Sequence, residues 1–114
     1  MTIHIKRIYA PFAKTDGYRI LVDRVWPRGI KKKDAHIDTW MKEVAPSTAL
    51  RKWFNHEPGK WAQFKAKYHA ELKDSEALKE LRADIRSHAI VTLLFGAKDE
   101  EHNQAVALQE LLRQ

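Results

Sequence analysis

Cysteine is absent from these 114 residues. That excludes thiol nucleophiles, persulfide relays, disulfides and cysteine-ligated metals, and it fits a reducing compartment. Long apolar runs are absent too. The clearest, "IVTLLF" at 90–95, is far shorter than the ~20 residues that cross a bilayer, so no membrane association is expected. The opening "MTIHIKRIYA" has neither an apolar signal core nor a small-residue cleavage site, and a cytoplasmic protein is expected. There is no GxGxxG, P-loop, HExxH or GxSxG, which removes the recognisable nucleotide, zinc-protease and α/β-hydrolase signatures. No cofactor and no set of metal ligands can be read. Repeats, linkers and low-complexity segments are missing as well, leaving one domain over residues 1–114.

What is present supports a packed core. Apolar residues make up 44% of the chain and there are four tryptophans, the composition of a globular protein. A domain of this size buries roughly 60–70% of its unfolded surface, enough without staples. The net charge of +6 is unevenly placed: residues 1–33 hold nine Lys/Arg against two Asp/Glu, whereas residues 34–114 hold twelve against thirteen. All the excess positive charge lies in the first third, which favours a negatively charged partner.

Alternation in "IHIKRI" (3–8) predicts a half-buried strand. Residues 18–25 predict a second, with an "ILV" centre, and 90–95 a third, the central one. Ile37, Trp40, Met41 and Val44 follow the i, i+3, i+4, i+7 pattern of a helix over 34–44 with Asp34 as its cap, stopped by Pro46. Ser47 caps a short helix bearing Leu50, Trp53 and Phe54. "EPG" at 57–59 starts another with Trp61, Phe64, Tyr68 and Leu72 as its stripe. Ser75 caps a helix facing inward through Leu78, Leu81 and Ile85. Asp99 begins the last, with Ala105, Leu108, Leu111 and Leu112 as its apolar positions. The reading is an α/β domain: a small, mainly parallel or mixed sheet of three or four strands flanked by several helices. The second and third strands are expected to be parallel. The link "YAPFAKTDG" is short for a helical crossover, so an antiparallel pairing of the first two strands is also open.

Ligands of open α/β sheets bind beyond the carboxyl ends of the strands. Here those ends read "DRVWPRG" and "GAKDEEHN". If the strands are parallel neighbours, Arg24, Arg28, Lys98 and His102 converge. By strand alternation Arg24 shares a face with Ile20, Val22 and Trp26, and Asp23 points the other way. Trp26–Pro27 stiffens the exit, and Gly29 lets the backbone turn or a ligand approach. Two guanidinium groups ~6 Å apart repel by about 3 kcal/mol at an effective dielectric near 20. A fold that gathers them therefore needs a carboxylate or a bound anion. Asp23, Asp99 or Glu100 could be internal partners in an ion-pair network, and a ligand site is the other reading. His102, near the third position of the last helix, is the acid–base candidate, with Lys98 beside it as an oxyanion binder. A second candidate is "PSTALRKWFNHEPGK" at 46–60. There, free N–H groups after Ser47 could hold an anion, with Arg51 a turn further on and His56 beyond the helix end.

The blocks "GYRILVDRVWPRG", "PSTALRKWFNH" and "LLFGAKDEEHNQA" resemble the YeaO-like branch of the domain-of-unknown-function 488 family over almost the whole chain. "DRVWPRG" is the most specific block. The resemblance implies a small bacterial α/β protein and no particular reaction. Other branches carry a cysteine at the end of the strand corresponding to 90–95 and a Cys-His-Arg cluster downstream. This chain has Phe95 at the first place, and His102, Asn103 and Gln104 near the second. A thiol-dependent role does not transfer. What carries over is Asp23, Arg24, Trp26, Pro27, Arg28, Gly29, Lys98, His102 and Asn103, with Ser47, Arg51 and His56.

Three functions compete. The first is a pocket for a small anionic ligand, phosphate or carboxylate, held by Arg24, Arg28 and Lys98 with Trp26 as a wall. The second, less favoured, is sequence-independent nucleic-acid binding through Lys6, Arg7, Lys14, Arg19 and Lys31 to Lys33, for which no recognition motif is present. The third is an interaction protein whose arginines form structural ion pairs. Whether the chain is an enzyme, and in what oligomeric state, is left open by the sequence.

Overall fold

The computed structural model of the protein describes residues 2–113. Four strands, β1 (Thr2–Arg7), β2 (Tyr18–Leu21), β3 (Thr39–Trp40) and β4 (Ile90–Phe95), form one sheet in the order β1-β4-β2-β3, every neighbouring pair parallel. The helices are α1 (Lys32–Ala35), α2 (Thr48–Phe54), α3 (Trp61–Leu72), α4 (Glu76–Arg86) and α5 (Gln104–Leu112), with short 3₁₀ turns between them. The α/β class is as the sequence implies.

β4 is central. Its Leu93 pairs with Ile5 on one side and Ile20 on the other, and Val91 to Phe95 are all buried. A strand covered on both faces has no polar face to present, which accounts for its unbroken apolar run. Ile3, Ile20, Val22, Val91, Leu93 and Phe95 face the main core, which is completed by Leu50 and Phe54 of α2, Phe64, Tyr68 and Leu72 of α3, Leu81 and Ile85 of α4, and Leu108 of α5. These are the stripes expected from sequence. Ser47 and Ser75 cap as expected, each hydroxyl accepting the N–H three residues on, at 3.1 Å. The opposite face carries a smaller cluster, Ile8, Leu21 and Leu94, packed against Trp26, Ile30, Ile37 and Trp40.

Three expectations are corrected. First, β1 and β2 do not pair antiparallel. They flank β4, both parallel to it. A link of this length reaches because an extended residue covers ~3.3 Å, so nine residues cross back over a short strand with one 3₁₀ turn (Lys14–Asp16) and no α-helix. Gly17 closes the link at φ 69°, where a Cβ would run into the Ile90 carbonyl. The link is anchored by a buried cluster: Asp16 takes Arg19 and Lys6 (2.9 Å), and Thr92 Oγ1 donates to the Asp16 carbonyl at 2.6 Å. Burial pushes the Asp16 carboxyl up, but hydrogen bonds from Lys6, the Ala13 N–H and Arg19, with the Lys6 charge, outweigh it and hold the group below its usual range.

Second, residues 34–44 are not one helix. α1 ends at His36 in a left-handed conformation (φ 51°), and Asp34 lies inside it rather than capping it. The chain then joins the sheet edge as β3. The Asp38 N–H donates to the Arg19 carbonyl and the Met41 N–H to the Leu21 carbonyl, both at 2.9 Å, while the Asp38 carboxylate accepts the Arg19 N–H at 2.8 Å. A lone eleven-residue helix is marginal in water, and the open edge of β2 supplies hydrogen bonds that outcompete it. Third, the last helix is capped by Asn103, whose Oδ1 accepts the Val106 N–H at 3.1 Å. Asp99 instead closes the turn before it, accepting the Glu101 and His102 N–H groups at 2.9 and 3.0 Å. His102 therefore precedes the helix.

Among the described residues no helix is long and apolar enough to cross a membrane.

Candidate functional site

A cleft of about 460 Å³ opens at the carboxyl ends of β2 and β4, the edge at which parallel sheets place their ligands. One wall begins where the chain leaves β2. Arg24 turns toward the main-core side and donates from Nη2 to the Ala45 carbonyl at 2.9 Å and from Nε to Pro46 at 3.2 Å. Those carbonyls just precede α2, so Arg24 fixes that helix to the strand end. α2 then brings Arg51 and Lys52, both exposed, to the same cleft. The helix stops in two successive left-handed residues, Asn55 (φ 47°) and His56 (φ 54°), and both line the cleft. Asparagine and histidine tolerate that conformation better than most side chains. The opposite wall is Ala97, His102, Asn103 and Gln104.

The floor holds a carboxylate. Asp23 Oδ2 accepts the Gly96 N–H at 2.8 Å, and Oδ1 accepts from Gln104 Nε2. Gly96 permits this approach, since a Cβ there would meet Asp23 Oδ2 at 2.9 Å. Burial raises the Asp23 pKa to about 6, against the lowering pull of the Gly96 N–H, the Arg51 charge and Gln104. The cleft thus sets three cations, Arg24, Arg51 and Lys52, against one carboxylate. None of the three forms an ion pair among the described residues.

His102 lines the same cleft. Its Nδ1 lies 3.0 Å from Asp99 Oδ2, and its ring stands edge-on to Trp61 at 5.3 Å. The Glu101 N–H and the His102 contact hold the Asp99 carboxyl below its usual range. This pair orients an imidazole. Thr48 lines the cleft with it, whereas Ser47, the hydroxyl offered by the sequence, does not. Ser47 Oγ donates to Glu71 Oε2 at 2.5 Å and its N–H donates to Oε1 at 3.0 Å. The anion at the start of α2 is therefore the chain's own Glu71.

The two regions that the sequence presents as separate candidates line one cleft. Arg24, Arg51, His56, His102 and Asn103 converge in it, and Asp23, Val25, Lys52, Asn55 and Gln104 join them. Trp26, Arg28, Gly29 and Lys98 do not line it. β2 ends at Leu21, so strand alternation does not extend to Trp26, which crosses to the other face, packs edge-on against Trp40 at 5.3 Å and donates to the Ile30 carbonyl at 2.6 Å. Arg28 and Gly29 are exposed on that turn, and the Arg28 carbonyl accepts the Tyr9 hydroxyl at 2.8 Å. Lys98 is exposed outside the cleft. Several cations of the nucleic-acid reading are also occupied: Arg19 is 2% exposed and paired to Asp16, Lys6 shares that carboxylate, and Arg7 donates to the Ala97 and Gly96 carbonyls at 2.8 and 3.2 Å. Among the described residues no group of three or more His, Asp or Glu is placed to hold a metal ion.

A family described as the inactive DUF488-N3 subclade matches residues 2–114. The chain belongs to this family. It is 49% identical over 113 residues to the uncharacterized protein YeaO of Escherichia coli, covering 99% of this chain and 98% of that one. An uncharacterized protein of Mycobacterium tuberculosis is 39% identical over 110 residues, covering 96% and 92%. One of Mycobacterium bovis matches to the same extent. No solved structure gives a match. These relatives carry no functional names, so in this subclade an activity has to be argued from the cleft itself.

Proposed function

We propose that the cleft is a receptor for a small anion, a phosphate or carboxylate group, and that it binds without catalysing a covalent reaction. The observation that carries this is the convergence of Arg24, Arg51 and Lys52 without ion-pair partners, facing only Asp23. Cations gathered on one cleft repel one another, and a bound anion relieves that repulsion. Arg51 and Lys52 are exposed and able to reach a ligand, while Arg24 has already spent two donors on backbone carbonyls. Arg51 offers the bidentate fork, Lys52 a mobile charge. Binding rather than turnover is favoured because the chain has no cysteine, Ser47 is committed to Glu71, and Thr48, the hydroxyl that lines the cleft, makes no hydrogen bond with His102 among the described residues. The description of the subclade as inactive agrees with this reading.

A thermal-shift titration with phosphate, sulfate and small carboxylates tests it. Ligand at a hundredfold excess over its Kd stabilises by about 2.7 kcal/mol, a rise in Tm of roughly 10 °C for a domain of this size. Arg51→Gln, an exposed and structurally mild change, is expected to remove that rise. If no anion shifts the wild type, or Arg51→Gln shifts equally, the reading is wrong.

A further inference from the structure

The anion proposed above fills only part of the cleft. Water takes roughly 30 Å³ per molecule in the liquid and a phosphate or carboxylate group a small multiple of that, against about 460 Å³ here. The volume lies in the range of pockets that enclose whole organic molecules. Beside its charged and polar groups the lining carries apolar surface. Val25, next in the chain to Arg24, lies at the cleft with 62% of its surface exposed, the most exposed large apolar residue described. It belongs to neither hydrophobic cluster. Other exposed apolar rings are accounted for: Phe12 is stacked on His36 at 4.1 Å with Arg19 over its ring, and Tyr9 lies under Arg7 with its hydroxyl bonded. Val25 has no comparable cover. Ala45, Pro46 and Ala97 continue the apolar lining.

Resting on the reading of the cleft as an anion receptor, we infer that its ligand is an amphiphilic organic anion. A phosphate or carboxylate head group meets Arg51 and Lys52, and a compact apolar body, an aromatic ring or short alkyl chain, covers Val25. Burying such a body stabilises the complex in proportion to the apolar area removed from water. The same cleft then discriminates against inorganic phosphate and acetate, which offer a head group and nothing for Val25.

Isothermal titration calorimetry with two matched pairs of probes separates these outcomes: inorganic phosphate against phenyl phosphate, and acetate against benzoate. In the wild type the aromatic member of at least one pair is expected to bind at least about tenfold more tightly, which is 1.4 kcal/mol. The pair that responds identifies the head group. Val25→Ser, at an exposed position that the fold tolerates, is expected to erase most of that ratio and leave the simple anion unchanged. Arg51→Gln is expected to weaken both members alike. Equal affinities within both pairs, or a ratio untouched by Val25→Ser, overturns the amphiphilic ligand while the anion receptor stands. Failure of all four probes to bind overturns both.

Discussion

Replacing Asp23 by asparagine removes the one negative charge from the cleft floor while keeping its shape. The asparagine Oδ1 can still accept the Gly96 N–H, and Gln104 can turn its amide to offer oxygen in place of nitrogen. The Asp23 pKa rises from 3.8 to about 6 on folding. A shift of roughly 2 units is about 3 kcal/mol. Its sign follows from linkage: a carboxyl that binds its proton more tightly when folded contributes stability fully present below pH 3.8, lost as the pH rises through about 6. Asparagine mimics the protonated form at every pH. Near pH 3.8 the two proteins should therefore differ little from this cause, and by pH 7 the variant should be the more stable by up to about 3 kcal/mol. Urea unfolding of both proteins at intervals from pH 4 to 7 reads this directly as a diverging pair of curves. The variant should also bind phosphate more tightly at pH 7, since an anion no longer faces Asp23. A stability difference that stays constant with pH refutes the reasoning, because it means that Asp23 does not titrate differently in the folded chain.

Two further outcomes are expected. Gly17→Ala forces a side chain into the Ile90 carbonyl at a positive φ and should cost at least about 2 kcal/mol in urea unfolding; a loss under half of that would mean the link does not approach β4 so closely. Ser47→Ala removes the cap of α2 and its bond to Glu71, costing about 1 kcal/mol. It should leave the anion-induced rise in Tm intact, and loss of that rise would move the site to the start of α2.

Much of this fold is legible where one residue pattern has one physical solution. "IVTLLF" can only be buried on both faces, and Phe64, Tyr68 and Leu72 behind a clear start make a helix. Residues 37, 40, 41 and 44 have two solutions. Ile37 and Trp40 face one side of the sheet while Met41 and Val44 enter the core on the other, so a helical spacing is satisfied by a strand followed by a 3₁₀ turn. The deciding factor, an unpaired edge on β2, is a tertiary fact. The site shows the same division. A strand-end placement follows from parallel topology, which sets the loops after β2 and β4 at one edge, where Arg24 and His102 line the same cleft. That Arg51 and His56 join them depends on Arg24 gripping the carbonyls before α2, which no local pattern encodes. Strand alternation places Trp26 on the Arg24 face only if β2 runs past Leu21, where its pairing ends, and Arg28 and Gly29, expected at the strand end, lie exposed on the turn that follows. No local pattern marks Gln104, whose place in the cleft rests on the bond it donates to Asp23 across the sheet edge.

The strand order has a consequence for how the chain acquires its structure. β1 and β2 are among the first residues in sequence, yet each is hydrogen-bonded to β4, residues 90–95, and not to the other. Until β4 arrives, β1 has no partner and the sheet has a gap at its centre. Such late, long-range closure is entropically slow, and during synthesis it leaves the early strands waiting as unpaired edges, the species most prone to aggregation. A fragment ending before β4 can pair β2 only with β3 and leaves β1 outside the sheet. Assembly of the cleft then depends on β4, since one of its walls is the segment that follows that strand.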